Sequence, residues 1–101
     1  MTNLELNEVI HQPVRLQIMA ALTSMEPGNE VNFTYLQDVL NLTSGNLGAH
    51  LRKLEESGYV NTNKTFIDRK PCTFISASEA GREAFKEHVA ALEYILNSKE
   101  G

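Results

Sequence analysis

The chain has 101 residues, of which 42% are hydrophobic and 22% charged, and a net charge of −4. This is apolar material for one domain spanning 1–101, small enough that a second copy would add useful burial. A single cysteine, Cys72, excludes an intrachain disulfide and any multi-cysteine zinc site, and Met1 to Ile10 carries neither a basic cluster nor a long apolar run. No signal peptide or membrane span is therefore expected, and the protein is expected in the cytoplasm.

In chain order, Leu4, Leu6, Val9 and Ile10 suggest a short first helix. Pro13 suits the first position of the next one, where its missing N–H costs nothing. Val14, Ile18, Ala21, Leu22 and Met25 follow at helical spacing and form a core stripe. Glu26-Pro27-Gly28-Asn29 is a loop by composition, and Val31 to Phe33 leaves room for a short strand. Thr34-Tyr35-Leu36-Gln37 has capping-box spacing and opens a short helix whose Leu36, Val39 and Leu40 face inward. Only Asn41 and Leu42 separate it from Thr43, the expected N-cap of another helix. Two helices joined by so tight a turn make a helix-turn-helix over about 34–57.

The second of these helices is the most informative. At 100° per residue Leu47, Leu51 and Leu54 fall within about 60° of one another, giving a buried face. The opposite arc carries Gly45, Asn46, Ala49, Arg52, Lys53 and Glu56, small near the start and charged further along. That suits a helix whose N-terminal end enters a DNA groove. Gly58 is expected to stop it as a left-handed cap.

A ribbon follows over about 59–76. Tyr59 to Ile67 is mostly polar, Ile67 to Pro71 is the turn, and Cys72 to Ile75 is the return strand. Such a ribbon is either a solvated edge hairpin or, behind a helix-turn-helix, a wing. The last helix covers about 78–97. Ser76 with Glu79 offers a capping box, and Phe85, Val89, Leu92 and Leu96 step by 4, 3 and 4 like a coiled-coil seam. With Leu4, that seam is the expected homodimer interface; the alternative is that it packs on its own domain.

These residues resemble the small winged helix-turn-helix transcriptional regulators near the MarR and ArsR superfamilies. The likeness rests on RLQIMAAL at Arg15 to Leu22, LTSGNLGAHLRKLEESGYV at Leu42 to Val60 and GREAF at Gly81 to Phe85, and covers about Asn7 to Leu92. It implies a mainly α (α+β) winged helix with a three-helix core, a two-stranded wing and a long C-terminal dimerisation helix capped by Ser78. It also implies a homodimeric regulator, a repressor by preference, of double-stranded DNA with a palindromic operator.

The charges are unevenly distributed. From Thr43 to Ile75 there are five bases against three acids, net +2, while the remaining residues hold four bases against ten acids, net −6. A local basic surface on an acidic body can still attract phosphate, because fields are screened beyond about 8 Å at physiological salt. The expected DNA contacts are Thr43, Ser44, Gly45, Asn46, Ala49, Arg52, Lys53, Lys64, Arg69 and Lys70. Asn46 has the amide that pairs with adenine, Ser44, Arg52 and Lys53 suit phosphate, and Arg69 and Lys70 would meet the backbone or minor groove.

Other chemistry has little support. His11, His50 and His88 lack metal-ligand spacing, and no catalytic constellation or phosphate-cradling loop occurs, so no enzyme activity, metal or cofactor is expected. Gly48 permits either close approach to phosphate or tight helix packing. Cys72 is read as a small buried residue, with a thiol switch as the alternative. A winged-helix protein-interaction module is the other class of function. Any small-molecule effector would bind at the dimer interface or between the helix-turn-helix and the last helix.

Overall fold

Short polar caps set most of the element boundaries. The computed structural model describes residues 6–98, so Leu4 lies outside the described residues. Its elements are α1 (Glu8–His11), α2 (Pro13–Thr23), β1 (Val31–Asn32), α3 (Phe33–Leu40), α4 (Ser44–Glu56), β2 (Val60–Ile67), β3 (Lys70–Ala77) and α5 (Glu79–Asn97). This is a winged helix-turn-helix: a helical core, a small antiparallel sheet and a long last helix.

Asn7 caps α1 by accepting from the Val9 and Ile10 amides at 3.0 and 3.1 Å. Gln12 caps α2 by accepting from Arg15 N–H at 2.9 Å, with Pro13 at the first helical position. The expected capping box at Thr34 is not used. Asn32 is the cap of α3 and accepts from the Thr34 amide at 2.8 Å, because the chain leaves β1 directly into the helix. Val39 also departs from expectation: it is 55% exposed, since only Leu36 of α3 points fully into the core. The α3–α4 turn closes on Asn41 in the left-handed region at φ 56°, with Leu42 N–H donating to Gln37 O at 3.0 Å.

The core lies where α2, α4 and the sheet meet. Ile18, Met19 and Leu22 of α2 are buried against Leu47, Leu51 and Leu54 of α4, with Val60 and Ile75 closing from the sheet. Each such side chain contributes roughly 1.5–3 kcal/mol relative to exposure. Met19 was not part of the expected stripe, whose Val14, Ala21 and Met25 are half-buried at its margin. The sheet order is β1-β3-β2, with Val31 opposite Ile75 and Asn32 opposite Phe74. The return strand is longer than Cys72 to Ile75, because ladder pairing runs from Lys70 to Ala77.

At the far end of the ribbon from its tip, α4, β2 and α5 meet in a single corner. Gly58, at φ 80°, ends α4 in a Schellman turn: its N–H donates to Glu55 O at 2.9 Å and Tyr59 N–H to Leu54 O at 2.9 Å. Ser78 caps α5, accepting from Gly81 N–H at 2.9 Å, and its hydroxyl donates back to Gly58 O at 2.6 Å. Gly81 passes so close that a Cβ there would lie 2.0 Å from the Tyr59 carbonyl oxygen. Arg82, one residue on, donates to Thr23 O, Leu22 O and Met25 O at 3.3, 3.4 and 2.8 Å. Its guanidinium thus closes the carbonyl end of α2.

On the other side of α5, His88 is buried and ties down the N-terminal segment. Asn7 N–H donates to His88 Nδ1 at 3.0 Å, so this ring is neutral with its proton on Nε2, which faces His11 Nδ1 at 3.4 Å. Asn7 Nδ2 also donates to Tyr59 OH at 2.9 Å. His88 is held below the usual histidine range by burial and then by His11. His50 is held below it by burial and then by Arg15.

Gly81→Ala should destabilise the fold by about 1–3 kcal/mol, because backbone must move to admit the methyl; a melting temperature equal to wild type would show that the corner yields freely. The two lowered histidines bind fewer protons folded than unfolded, so their stabilisation is complete above about pH 6.5 and is lost as pH falls below it. Thermal melts should therefore show lower stability near pH 5.5 than near pH 7.5. His88→Gln, which keeps an acceptor for Asn7 but cannot titrate, should shrink that slope, and an unchanged slope would exclude His88 as its source.

Candidate nucleic-acid interface

The start of α4 is presented to solvent by its own cap and its own leucines. Thr43 Oγ1 accepts from Asn46 N–H at 3.1 Å, which fixes the first turn. With Leu47, Leu51 and Leu54 buried, Ser44, Gly45, Asn46, Ala49, Arg52 and Lys53 are all exposed. The expected face is therefore brought together on one element. Nothing lies within 4 Å of a Cβ built at Gly45 or Gly48, so tight helix packing does not explain either glycine. They leave the outer surface of the helix low.

The orientation of α4 is set from behind by a pair that sequence periodicity did not reveal. Arg15 Nε donates to Val9 O at 2.6 Å, and its Nη1 meets His50 Nδ1 at 3.3 Å. A guanidinium can only donate, so this ring nitrogen is the acceptor and His50 is neutral. The contact links α1, α2 and α4 through one side chain.

Between α4 and the ribbon runs an open groove of about 260 Å³, walled by Gly48, Leu51, Arg52 and Glu55 on one side and Thr62, Lys64 and Thr73 on the other. Thr62 donates to the Glu55 carboxylate, which ties helix to ribbon and puts an acid in the groove that Arg52 and Lys64 also line. The ribbon ends in a two-residue turn, Asp68 and Arg69, both left-handed at φ 52° and 66°. This is the turn class whose twist matches the flanking strands. The tip thus differs from the expected Ile67 to Pro71 loop: Lys70 is already in the ladder opposite Ile67, and Asp68 shares the tip with Arg69. Lys64, Arg69 and Lys70 are all exposed.

Cys72 is half-buried on the ribbon opposite Thr65. In the expected seam of α5, Phe85 packs partly against the core, Val89 and Leu92 are half-buried, and Leu96 is 66% exposed. The stripe that α5 buries in its own domain is Gly81, His88 and Ala91. Among the described residues no group of three metal-ligating side chains occurs, and no helix is long and apolar enough to cross a membrane.

This geometry can be set beside known proteins. The model of the winged helix DNA-binding domain family matches residues 14–96. The chain belongs to that family. It is similar to an uncharacterized protein of Methanocaldococcus jannaschii, 42% identical over 82 residues, covering 81% of this chain and 86% of the relative. Its structure resembles that of a transcriptional regulator homologue from Pyrococcus horikoshii OT3, with a TM-score of 0.83 and 35% identity, covering 94% of this chain and 91% of that one. A zinc-responsive MarR family member of Lactococcus lactis shares the fold at a TM-score of 0.59 and 18% identity, covering 98% of this chain and 62% of that one. The winged-helix fold is thus consistent with a DNA-binding transcriptional regulator.

Proposed function

We propose that this protein is a homodimeric, sequence-specific regulator of transcription, a repressor by preference, that places α4 in the major groove of duplex DNA and the ribbon on the adjacent backbone or minor groove. The observation that carries this reading is the pairing of an exposed, low and polar α4 N-terminus with a basic ribbon projecting beside it. Asn46 is the base-reading residue, because it stands exposed in the first turn and its amide can pair bidentately with adenine. Ser44, Arg52, Lys53, Arg69 and Lys70 hold phosphate, which positions the helix without reading sequence. Lys64 contributes from the groove wall.

The second copy covers the end of α5, where Tyr94, Ile95 and Leu96 are exposed together. A two-fold assembly would set two recognition helices about 34 Å apart, matched to half-sites ~10 base pairs apart. Exposed Tyr35 and Val39 on α3, at 61% and 55%, favour a second reading, in which the fold docks onto another protein.

Affinity for random-sequence duplex followed from about 50 to 200 mM salt, together with selection of bound sequences from a random pool, separates the two. Salt-sensitive binding with enrichment of a palindrome supports the regulator. Absence of binding at the lowest salt would leave the docking module. On the selected site, Asn46→Ala should reduce discrimination against random DNA by about 1–3 kcal/mol, and an equal loss on both DNAs would remove Asn46 from base readout. Arg69→Ala combined with Lys70→Ala should weaken all duplexes alike and flatten the salt slope by about two units; an unchanged slope would take the ribbon off the DNA.

A further inference from the structure

Phe66 stands near the tip of the ribbon at 72% exposure, the most exposed large apolar side chain among the described residues. Folding does not place it there, since it contributes little to any core, and a solvated hairpin would carry a polar residue at this position.

Register shows which way it faces. Side chains alternate along a strand, so Phe66 shares a face with Val60, Thr62 and Lys64. Val60 is buried, and Thr62 and Lys64 line the groove against α4. Phe66 therefore continues the groove face outward. Directly opposite it in the ladder is Pro71, which belongs to the same face. A proline is tolerated in this strand because β3 pairs with β1 only at Phe74 and Ile75. Its fixed ring presents a stiff apolar surface directly across the ladder from Phe66. Ile67, at 48% exposure, lies on the reverse face with Lys70.

The surroundings point to a polyanion rather than to an apolar protein surface. Lys64 precedes Phe66 on the same face, and Arg69 and Lys70 lie beyond it, against Asp68 alone. Reach fits too. From Val60 to Phe66 the ribbon extends six residues, roughly 20 Å. That is on the order of the half-turn, about 17 Å, between a major groove and the neighbouring minor groove.

We propose that Phe66, with Pro71 across the ladder, is an apolar wedge that enters the minor groove beside the α4 site and opens a base step, bending the duplex. This rests on the DNA-binding reading above and adds how the ribbon engages. Lys64, Arg69 and Lys70 hold the flanking phosphates while the ring replaces part of the stacking it disrupts. Pyrimidine–purine steps, which unstack most readily, are favoured at that position although no side chain hydrogen-bonds to them.

The test uses the full chain on a duplex of about 30 base pairs with fluorophores at its two ends, carrying the selected site with either a TA or an AA step at the ribbon position. End-to-end energy transfer reports bending, and affinity is followed across salt. The wild type should bend the TA duplex more than the AA duplex. Phe66→Ala should abolish the bend and weaken binding about tenfold with an unchanged salt slope, because no charge is lost. Ile67→Ala, on the reverse face, should keep the bend, and thermal melts should show both variants folded. Wild-type binding with bend and affinity equal in Phe66→Ala would overturn the wedge and leave the regulator reading intact, as would equal losses in the two variants. No duplex binding by the wild type would overturn both.

Discussion

Among the described glycines only Gly81 has no room for a Cβ, because there α5 passes directly over the Tyr59 carbonyl. A side chain of any size at Gly81 would occupy the space of that oxygen, so the two backbone segments can approach only with glycine there. The same carbonyl accepts from Ser78 N–H at 3.0 Å, and the Ser78 hydroxyl reaches Gly58 O. Three elements therefore share one short stretch of chain: α4 ends at it, the ribbon starts from it, and α5 crosses it. The angle between α4 and the ribbon is fixed at this corner, at the opposite end of the ribbon from its tip. Interiors packed to this density transmit such constraints instead of absorbing them.

Polar side chains then hold the helices to this frame with few charges. Arg82 spreads its guanidinium over the last carbonyls of α2, leaving its Nε buried and unpaired among the described residues. Arg15 bridges α1 and α4 in the same way, and Asn7 serves His88 through its amide N–H, Val9 and Ile10 through its side-chain oxygen and Tyr59 through its side-chain NH₂. Each of these groups is worth more for what it leaves unsatisfied when removed than for the bond itself. Placing His88 and His50 as neutral acceptors follows from the same logic. A positive ring at either site would face a donor it could no longer accept from.

The architecture was legible because several levels of the sequence agree. The three leucines of α4, Thr43 before them and Gly58 after them all specify one helix of the same length and face. The polar run of the ribbon and Pro13 at the start of α2 are equally local signals. What was not legible depends on contacts distant in sequence. Gly81 reads as an ordinary helix residue until the chain is folded over Tyr59, and His88 lies among exposed residues of an amphipathic helix until Asn7 arrives from the other end. Capping-box spacing points to Thr34 because that spacing is common, whereas the cap itself, Asn32, doubles as a strand residue. The exposed face of α4 followed from its periodicity, but the groove it shares with Thr62, Lys64 and Thr73 requires the register of the ribbon.

The acidic body and the basic ribbon make sense together on the proposed reading. A surface of net +2 on a chain of net −4 gives only modest long-range attraction to phosphate. Most of what distinguishes one duplex from another must then come from short-range contacts, for which exposed, uncharged side chains such as Asn46 and Phe66 are suited. On that reading Glu55, held to Thr62 in the groove that Arg52 and Lys64 also line, would act in the same direction. Its charge would lower the general affinity for polyanions at the point where general affinity would mask selectivity. A weakly attractive frame with a few rigidly placed contacts favours discrimination over occupancy, since specificity is a difference between affinities and not a sum of them.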